Sequence, residues 1–208
     1  MATEDFQPDP GPPLQILAVC GSLNEKSITK MALSIALKGA EEYGADTRLI
    51  TLRDYKLVFY GEVDEEDYPP DVFRLREEIK DADGIIFGTP EYHGSMSGTL
   101  KNMLDLMSQE QLEGKIVGLV GVAGGHTGAI QSLNTMRTIG RNMHFWVLPQ
   151  EVSVADSSKT FNSDGAVTDP VIKQRLLNIG RQVVKFASLQ RTVRNTDFMK
   201  LWEGLPTW

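Results

Sequence analysis

The chain has 208 residues, 41% of them apolar, and carries 28 acidic against 21 basic side chains for a formal net charge of −7. That length supports one sizeable domain with a two-sided core, and the acidic balance, with Lys and Arg scattered rather than gathered in a stripe, argues against nucleic acid as a partner. The single cysteine, Cys20, excludes an intrachain disulfide and points to a reducing, cytoplasmic setting, and no apolar run reaches the roughly 20 residues of a membrane-crossing helix.

The first residues are acidic and proline-rich (Glu4, Asp5, Pro8, Asp9, Pro10, Pro12, Pro13) and lack the basic and apolar stretches of a signal peptide. Residues 1–13 are therefore expected to form a disordered tail. Leu14–Val19 is a compact apolar run, broken by Gly21. From Ile28, apolar residues at 28, 31, 32, 35, 36 and 39 predict an amphipathic helix ending near Tyr43-Gly44. Thr47–Leu52 reads as a second strand, followed by a polar loop with an acidic cluster at Glu62, Asp64, Glu65, Glu66 and Asp67, a solvated segment. A short helix is expected over Asp71–Lys80 and a third strand over Gly84–Phe87.

The chain then turns through Pro90, Gly94 and Gly98 into a helix over 99–108, with Leu100, Met103, Leu104 and Met107 on one face. Lys115–Val122 is a fourth strand, Ala129–Asn142 a helix and Phe145–Val154 a fifth strand. Pro170 suits the first position of a last helix capped by Asp169, with Ile172, Leu176, Ile179 and Val183 on one face. No fixed-period repeat is visible.

Strands alternating with helices imply an α/β fold with a parallel sheet covered on both faces. The expectation is a flavodoxin-like three-layer sandwich over residues 14–190, with five parallel strands in the order 2-1-3-4-5. Ligands bind at the switch point of such sheets, here between the first and third strands. Residues 191–208 carry Phe198, Leu201, Trp202, Leu205 and Trp208, and are expected as an extension docking on the body or on a partner subunit.

The switch point joins two loops. In the first, Ser22, Ser27 and Thr29, with the N–H groups of the helix start at Ile28, can surround an anion; Ser27 serves equally well as a plain N-cap. Neither GxxxxGK[ST] nor GxGxxG follows the first strand. The second loop, after Phe87, gathers Glu91, Tyr92 and His93 on flexible backbone.

Together, Gly21-Ser-Leu-Asn-Glu-Lys-Ser-Ile-Thr29 and Pro90-Glu-Tyr-His-Gly-Ser-Met-Ser-Gly-Thr-Leu-Lys-Asn102 resemble two motifs of the NADPH-dependent FMN reductase family. That flavodoxin-like group includes quinone, azo-compound and chromate reductases. Its first motif is G-S-[LI]-R-x-x-S-x-N, matched in part; its second is P-E-Y-[NH]-x-S-x-x-G-x-L-K-N, matched along its length. The resemblance covers roughly residues 14–187. It implies an FMN site with Ser22, Asn24, Ser27, Ile28 and Thr29 at the phosphate, and Pro90, Glu91, Tyr92, His93, Gly94 and Ser95 along the ring. It also implies NADPH or NADH as hydride donor and a homodimer or homotetramer, for which the apolar face of the 99–108 helix is a candidate interface, packing on the sheet being the alternative for that face.

The loop Val122-Ala-Gly-Gly-His-Thr-Gly128 fits the same site, with Ala123, Gly124, Gly125, His126 and Gly128 approaching the flavin; alone it would read as an ordinary glycine turn. Two departures stand out. Asn24 occupies the family's Arg position and Thr29 its Asn position. Loss of a bidentate donor is expected to weaken phosphate binding, with Lys26 and Lys30 as candidate replacements.

No protein nucleophile and no metal is required, since the flavin carries the redox chemistry. His93 and His126 can hydrogen-bond or donate protons nearby, and Glu91 reads as a structural hydrogen-bonding residue. The expected function is an NAD(P)H oxidoreductase passing electrons to a small acceptor such as a quinone, a flavin, an azo compound, chromate or ferric ion. A second reading is a low-turnover flavin protein for electron transfer or redox sensing. A third is a low-molecular-weight phosphatase using Cys20, with Asp169-Pro170 as the acid, but it offers Lys26 where bidentate phosphate binding needs Arg.

Overall fold

The computed structural model describes residues 11–162 and 164–194. Most of the expected tail 1–13 and of the extension 191–208, including its aromatic residues, lies outside them. The elements in chain order are β1 (Gln15–Cys20), α1 (Ile28–Glu41), β2 (Asp46–Thr51), 3-10 turns at Leu52–Asp54 and Glu65–Asp67, α2 (Pro70–Asp81), β3 (Gly84–Tyr92) and β4 (Ser95–Met96). They continue with α3 (Gly98–Asp105), α4 (Gln109–Leu112), β5 (Ile116–Val122), α5 (Ile130–Asn142), β6 (Trp146–Val154), α6 (Ser157–Thr160) and α7 (Pro170–Arg194).

The sheet runs β2-β1-β3-β5-β6 with every neighbouring pair parallel. With the short β4 set aside, this is the expected 2-1-3-4-5 order. Burial follows position. β5 is buried along its whole length, as a central parallel strand covered on both faces must be, while edge strand β2 alternates exposed and half-buried residues before Ile50.

One core lies under α1 and α7 and includes Leu33, Ala36, Ile179 and Val183; the other lies under α2, α3 and α5 and includes Leu75, Phe87, Leu100 and Leu133. Gly39 and Gly180 let α1 and α7 touch backbone to backbone, since a Cβ on either would run into the facing helix's carbonyl. Helix α7 starts as its sequence predicts, with Asp169 Oδ1 accepting from the amides of Val171 at 2.8 Å and Ile172 at 3.3 Å.

Three local expectations need correction. The third strand does not stop at Phe87: it runs on to Tyr92, and Pro90 pairs with Val122 at the end of the β3–β5 ladder. There a missing N–H is tolerated and an extended backbone suits the proline ring. The turn sits instead at His93 and Gly94, both with positive φ (53° and 77°), as a two-residue hairpin to β4 requires. The helix expected over 99–108 ends at Asp105, and a Ser108–Gln111 capping box opens α4. The apolar face of α3, proposed from the sequence as an interface, is core: Leu100, Met103 and Leu104 are buried against the sheet.

Candidate active site

The β1 and β3 ends lie side by side, with Cys20 opposite Gly88 in the ladder. The amide of Gly21 donates to Gly88 O at 2.8 Å, and Ser97 Oγ donates to Gly21 O at 2.8 Å. Ser97 is buried and also caps α3, accepting from the Leu100 amide at 3.2 Å. One hydroxyl therefore fastens the first loop to the second. Gly21 has no room for a side chain: a Cβ there would stand 2.7 Å from Leu100 Cβ and 2.8 Å from Ser97 Oγ. Sequence reading missed Ser97 as a site residue, although its place just before an apolar-periodic run is an N-cap signal.

Ser22, Ser27 and Thr29 are all buried at the start of α1. Ser27 Oγ caps the helix, accepting from the Lys30 amide at 3.1 Å. A helix start leaves further N–H groups without intrahelical acceptors, so the place combines donors, hydroxyls and the positive end of a helix dipole. Asn24 takes part in the turn itself: its amide donates to Ser22 Oγ at 3.3 Å and its Oδ1 accepts from the Lys26 amide at 3.0 Å. The side chain at the family's Arg position thus shapes the loop as an Asx turn.

Cys20 is fully buried, 3.8 Å from Ser27 Oγ. Burial pushes its thiol pKa up, outweighing its contacts to Ser22 and Ser27 and the charge of Lys30. A phosphatase nucleophile needs the opposite shift and an open sulfur, and Asp169 is engaged as the α7 cap.

In the second loop, Pro90 is buried, Glu91 and Ser95 are half-buried, and Tyr92, His93 and Gly94 are exposed on the hairpin. Glu91 Oε2 accepts from the Ser132 amide at 2.9 Å, in the first turn of α5, so its carboxylate faces a helix N-terminus. That matches the structural role expected from sequence. Asn102 Nδ2 donates to Val58 O at 2.9 Å while its Oδ1 accepts from the Tyr60 amide at 3.3 Å, pinning the loop after β2 to α3.

The third loop is stitched to the segment after β6. Ala123 N donates to Val154 O at 2.8 Å, Asp156 N to Gly125 O at 3.2 Å, and Ala129 N to Ser153 Oγ at 2.8 Å. His126 Nδ1 lies 2.5 Å from Asp156 Oδ2, with the rest of its ring in solvent. Gly128 is fixed by packing, its φ being +69° with Ser153 Oγ where a Cβ would go. Gly124 and Gly125 differ: a Cβ on either would meet nothing within 4 Å, so they leave open a surface that a flat ligand can approach.

Beside these loops opens a cleft of about 810 Å³, lined among others by Leu23, Arg53, Tyr55, Phe59, Tyr92 and Asn102. Of the residues assigned to the cofactor from sequence, Tyr92, 54% exposed, lines it. Leu23 stands in the first motif and Asn102 ends the second, while Arg53, Tyr55 and Phe59 come from a chain region whose sequence carries no motif. Tyr55 is braced from behind, its hydroxyl donating to Glu78 Oε2 at 2.5 Å and its ring lying 4.4 Å under the Arg74 guanidinium. Burial, then the Glu78 hydrogen bond and charge, push its pKa up to about 12. Among the described residues no cluster of His, Cys, Asp or Glu is placed to hold a metal ion, and no helix is long and apolar enough to cross a membrane.

The family model for NADPH-dependent FMN reductase matches residues 14–159, more than half of the chain. The chain belongs to this family. As a member it is an oxidoreductase that works with FMN and NAD(P)H. The NADPH-dependent FMN reductase ArsH of Shigella flexneri is 28% identical over 88% of this chain and 72% of its own length. The FMN-dependent NADPH-azoreductase of Staphylococcus aureus is 28% identical over 83% of this chain and 94% of its own. The fold likeness extends to an NADH:FMN oxidoreductase (EMOB) solved in its apo form, with a TM-score of 0.69 at 22% identity, covering 82% of this chain and 88% of that one.

Proposed function

We propose that this FMN reductase passes electrons from NAD(P)H to a planar aromatic acceptor, a quinone or an azo compound, in preference to chromate or ferric ion. The observation that carries this is the cleft walled by Leu23, Tyr55, Phe59 and Tyr92, whose rings and aliphatic carbons suit a flat organic molecule, while the polar Arg53 and Asn102 in its lining are already held by protein partners. Bound FMN supplies the redox chemistry, relaying electrons from the nicotinamide to the acceptor.

The protein's part is binding and orientation. Ser22, Ser27, Thr29 and the α1 start, at Ile28, form the phosphate end of the site, with Asn24 shaping the turn beside it. The donor set there fits a phosphate, being hydroxyls and amides at a helix N-terminus. Pro90–Ser95 and Ala123–Gly128 border the ring, where Gly124 and Gly125 leave open space. His126, steadied by Asp156, stands exposed in the same loop as those glycines, and Tyr92 lines the cleft. Exposed Phe59, Tyr60 and Phe73 support assembly as a homodimer or homotetramer, and the lone buried Cys20 supports a cytoplasmic location.

The test is kcat/KM for a quinone, an azo dye, chromate, a ferric chelate and free FMN, each with NADPH and with NADH. Quinone or azo dye should lead. A clear lead for chromate or the ferric chelate overturns the acceptor assignment, and slow turnover with all five favours the electron-transfer or sensing role.

A further inference from the structure

We infer that Arg53 is a positioning residue of the cofactor-phosphate loop, supplying from the end of β2 the guanidinium that position 24 lacks. The inference rests on the reading that Ser22–Thr29 holds the FMN phosphate.

The geometry is specific. Arg53 Nη1 donates to Leu23 O at 3.0 Å and Nη2 to Glu25 Oε1 at 2.8 Å. The fork thus straddles Asn24, gripping the residue on either side of it. Its reach follows from topology: Thr51 pairs with Cys20 in the β1–β2 ladder, so the chain just past each strand end meets its counterpart. Thirty residues of sequence separate Arg53 from Leu23, which is why no local motif contains the contact.

The loop's other ties lie at its base or within it. Gly21 is held to Gly88 and Ser97, and the Ser22, Asn24 and Lys26 contacts are internal. Among the described residues, Arg53 makes the only hydrogen bonds that reach residues 23–25 from outside the loop. Without it, the outer half of the turn would rest on its two internal bonds alone, Asn24 N to Ser22 Oγ and Lys26 N to Asn24 Oδ1, and an anion arriving at Ser22 and Ser27 would have to order it. Holding a loop in its bound shape strengthens binding by removing that ordering entropy. A planar fork can bridge a carbonyl and a carboxylate together; a lysine ammonium lacks that fork geometry.

The experiment compares FMN with riboflavin, which has the same ring and no phosphate, by flavin-fluorescence titration of the full-length apoprotein. Wild type should bind FMN more tightly than riboflavin. Arg53→Ala should raise the FMN Kd about two- to fivefold, in the range of an exposed ion pair, with the riboflavin Kd unchanged. Arg53→Lys, which keeps the charge and loses the fork, should behave like Arg53→Ala. A general loosening of the fold would weaken both flavins alike and overturns the inference. So does an Arg53→Lys protein that binds FMN as wild type does, since that assigns the effect to charge alone. If wild type discriminates and Arg53→Ala discriminates equally, this inference falls and the phosphate-loop reading stands. If wild type binds both flavins equally, the phosphate-loop reading falls and takes this inference with it.

Discussion

The two loops at the switch point divide their labour in opposite ways. The segment Pro90–Asn102 matches its family motif along its length, yet several of its polar groups face protein: Glu91 the α5 start, Ser97 both Thr89 and Gly21, Asn102 the loop at Val58–Tyr60. The segment Ser22–Thr29 matches its motif only in part, yet its hydroxyls gather at a helix start where an anion can bind. A close motif match can thus mark the scaffold of a site more than its reactive surface. A partial match can hide a function held together from elsewhere in the chain, here by Arg53.

The largest test of that contrast is Leu100→Ala. Leu100 is fully buried beneath both loops, and the change should lower unfolding free energy by about 2–5 kcal/mol in denaturant titrations. A loss under about 1 kcal/mol would mean the second segment is not the scaffold described. Ser27→Ala comes next. It should raise the FMN Kd about tenfold, a factor worth about 1.4 kcal/mol, and cost about 1 kcal/mol of stability as a lost N-cap. An unchanged FMN Kd would show the hydroxyl to be a helix cap and nothing more.

Glu91→Gln should cost about 0.5–1 kcal/mol, the size of a carboxylate at a helix N-terminus, with turnover within about twofold of wild type. Activity falling a hundredfold with stability intact would place Glu91 in the chemistry instead. The smallest effect concerns the cleft wall. The folded-state pKa of Tyr55 is raised from 10.0 to about 12, so its neutral form is favoured by folding. That contribution is complete below pH 10 and is lost as pH rises through 12. Tyr55→Phe should flatten the decline in stability over that window in pH-dependent unfolding, and an unaltered slope would mean that burial and the Glu78 contact do not hold the phenol neutral.

Much of this was legible from residues alone. Periodicity set the helix faces of α1 and α7, and the alternation of elements set the 2-1-3-4-5 sheet. The errors have local causes. The third strand outran its apolar run because Pro90 and Glu91 are extended at a strand end where neither needs an apolar partner on both sides. The face of α3 was offered as an interface because a buried stripe looks the same whether a sheet or a second chain covers it.

The sequence by itself determined the fold, the family and the two loops at the switch point, because these depend on patterns written within some thirty residues: apolar spacing, glycine and proline placement, and contiguous motifs. Only the tertiary structure decided which side chains meet. Ser97 on Gly21, Glu91 on Ser132, Arg53 astride Asn24 and the aromatic wall from the loop after β2 join residues tens of positions apart. Such contacts come from strand order and register, which bring distant strand ends together and leave no periodic trace in the chain.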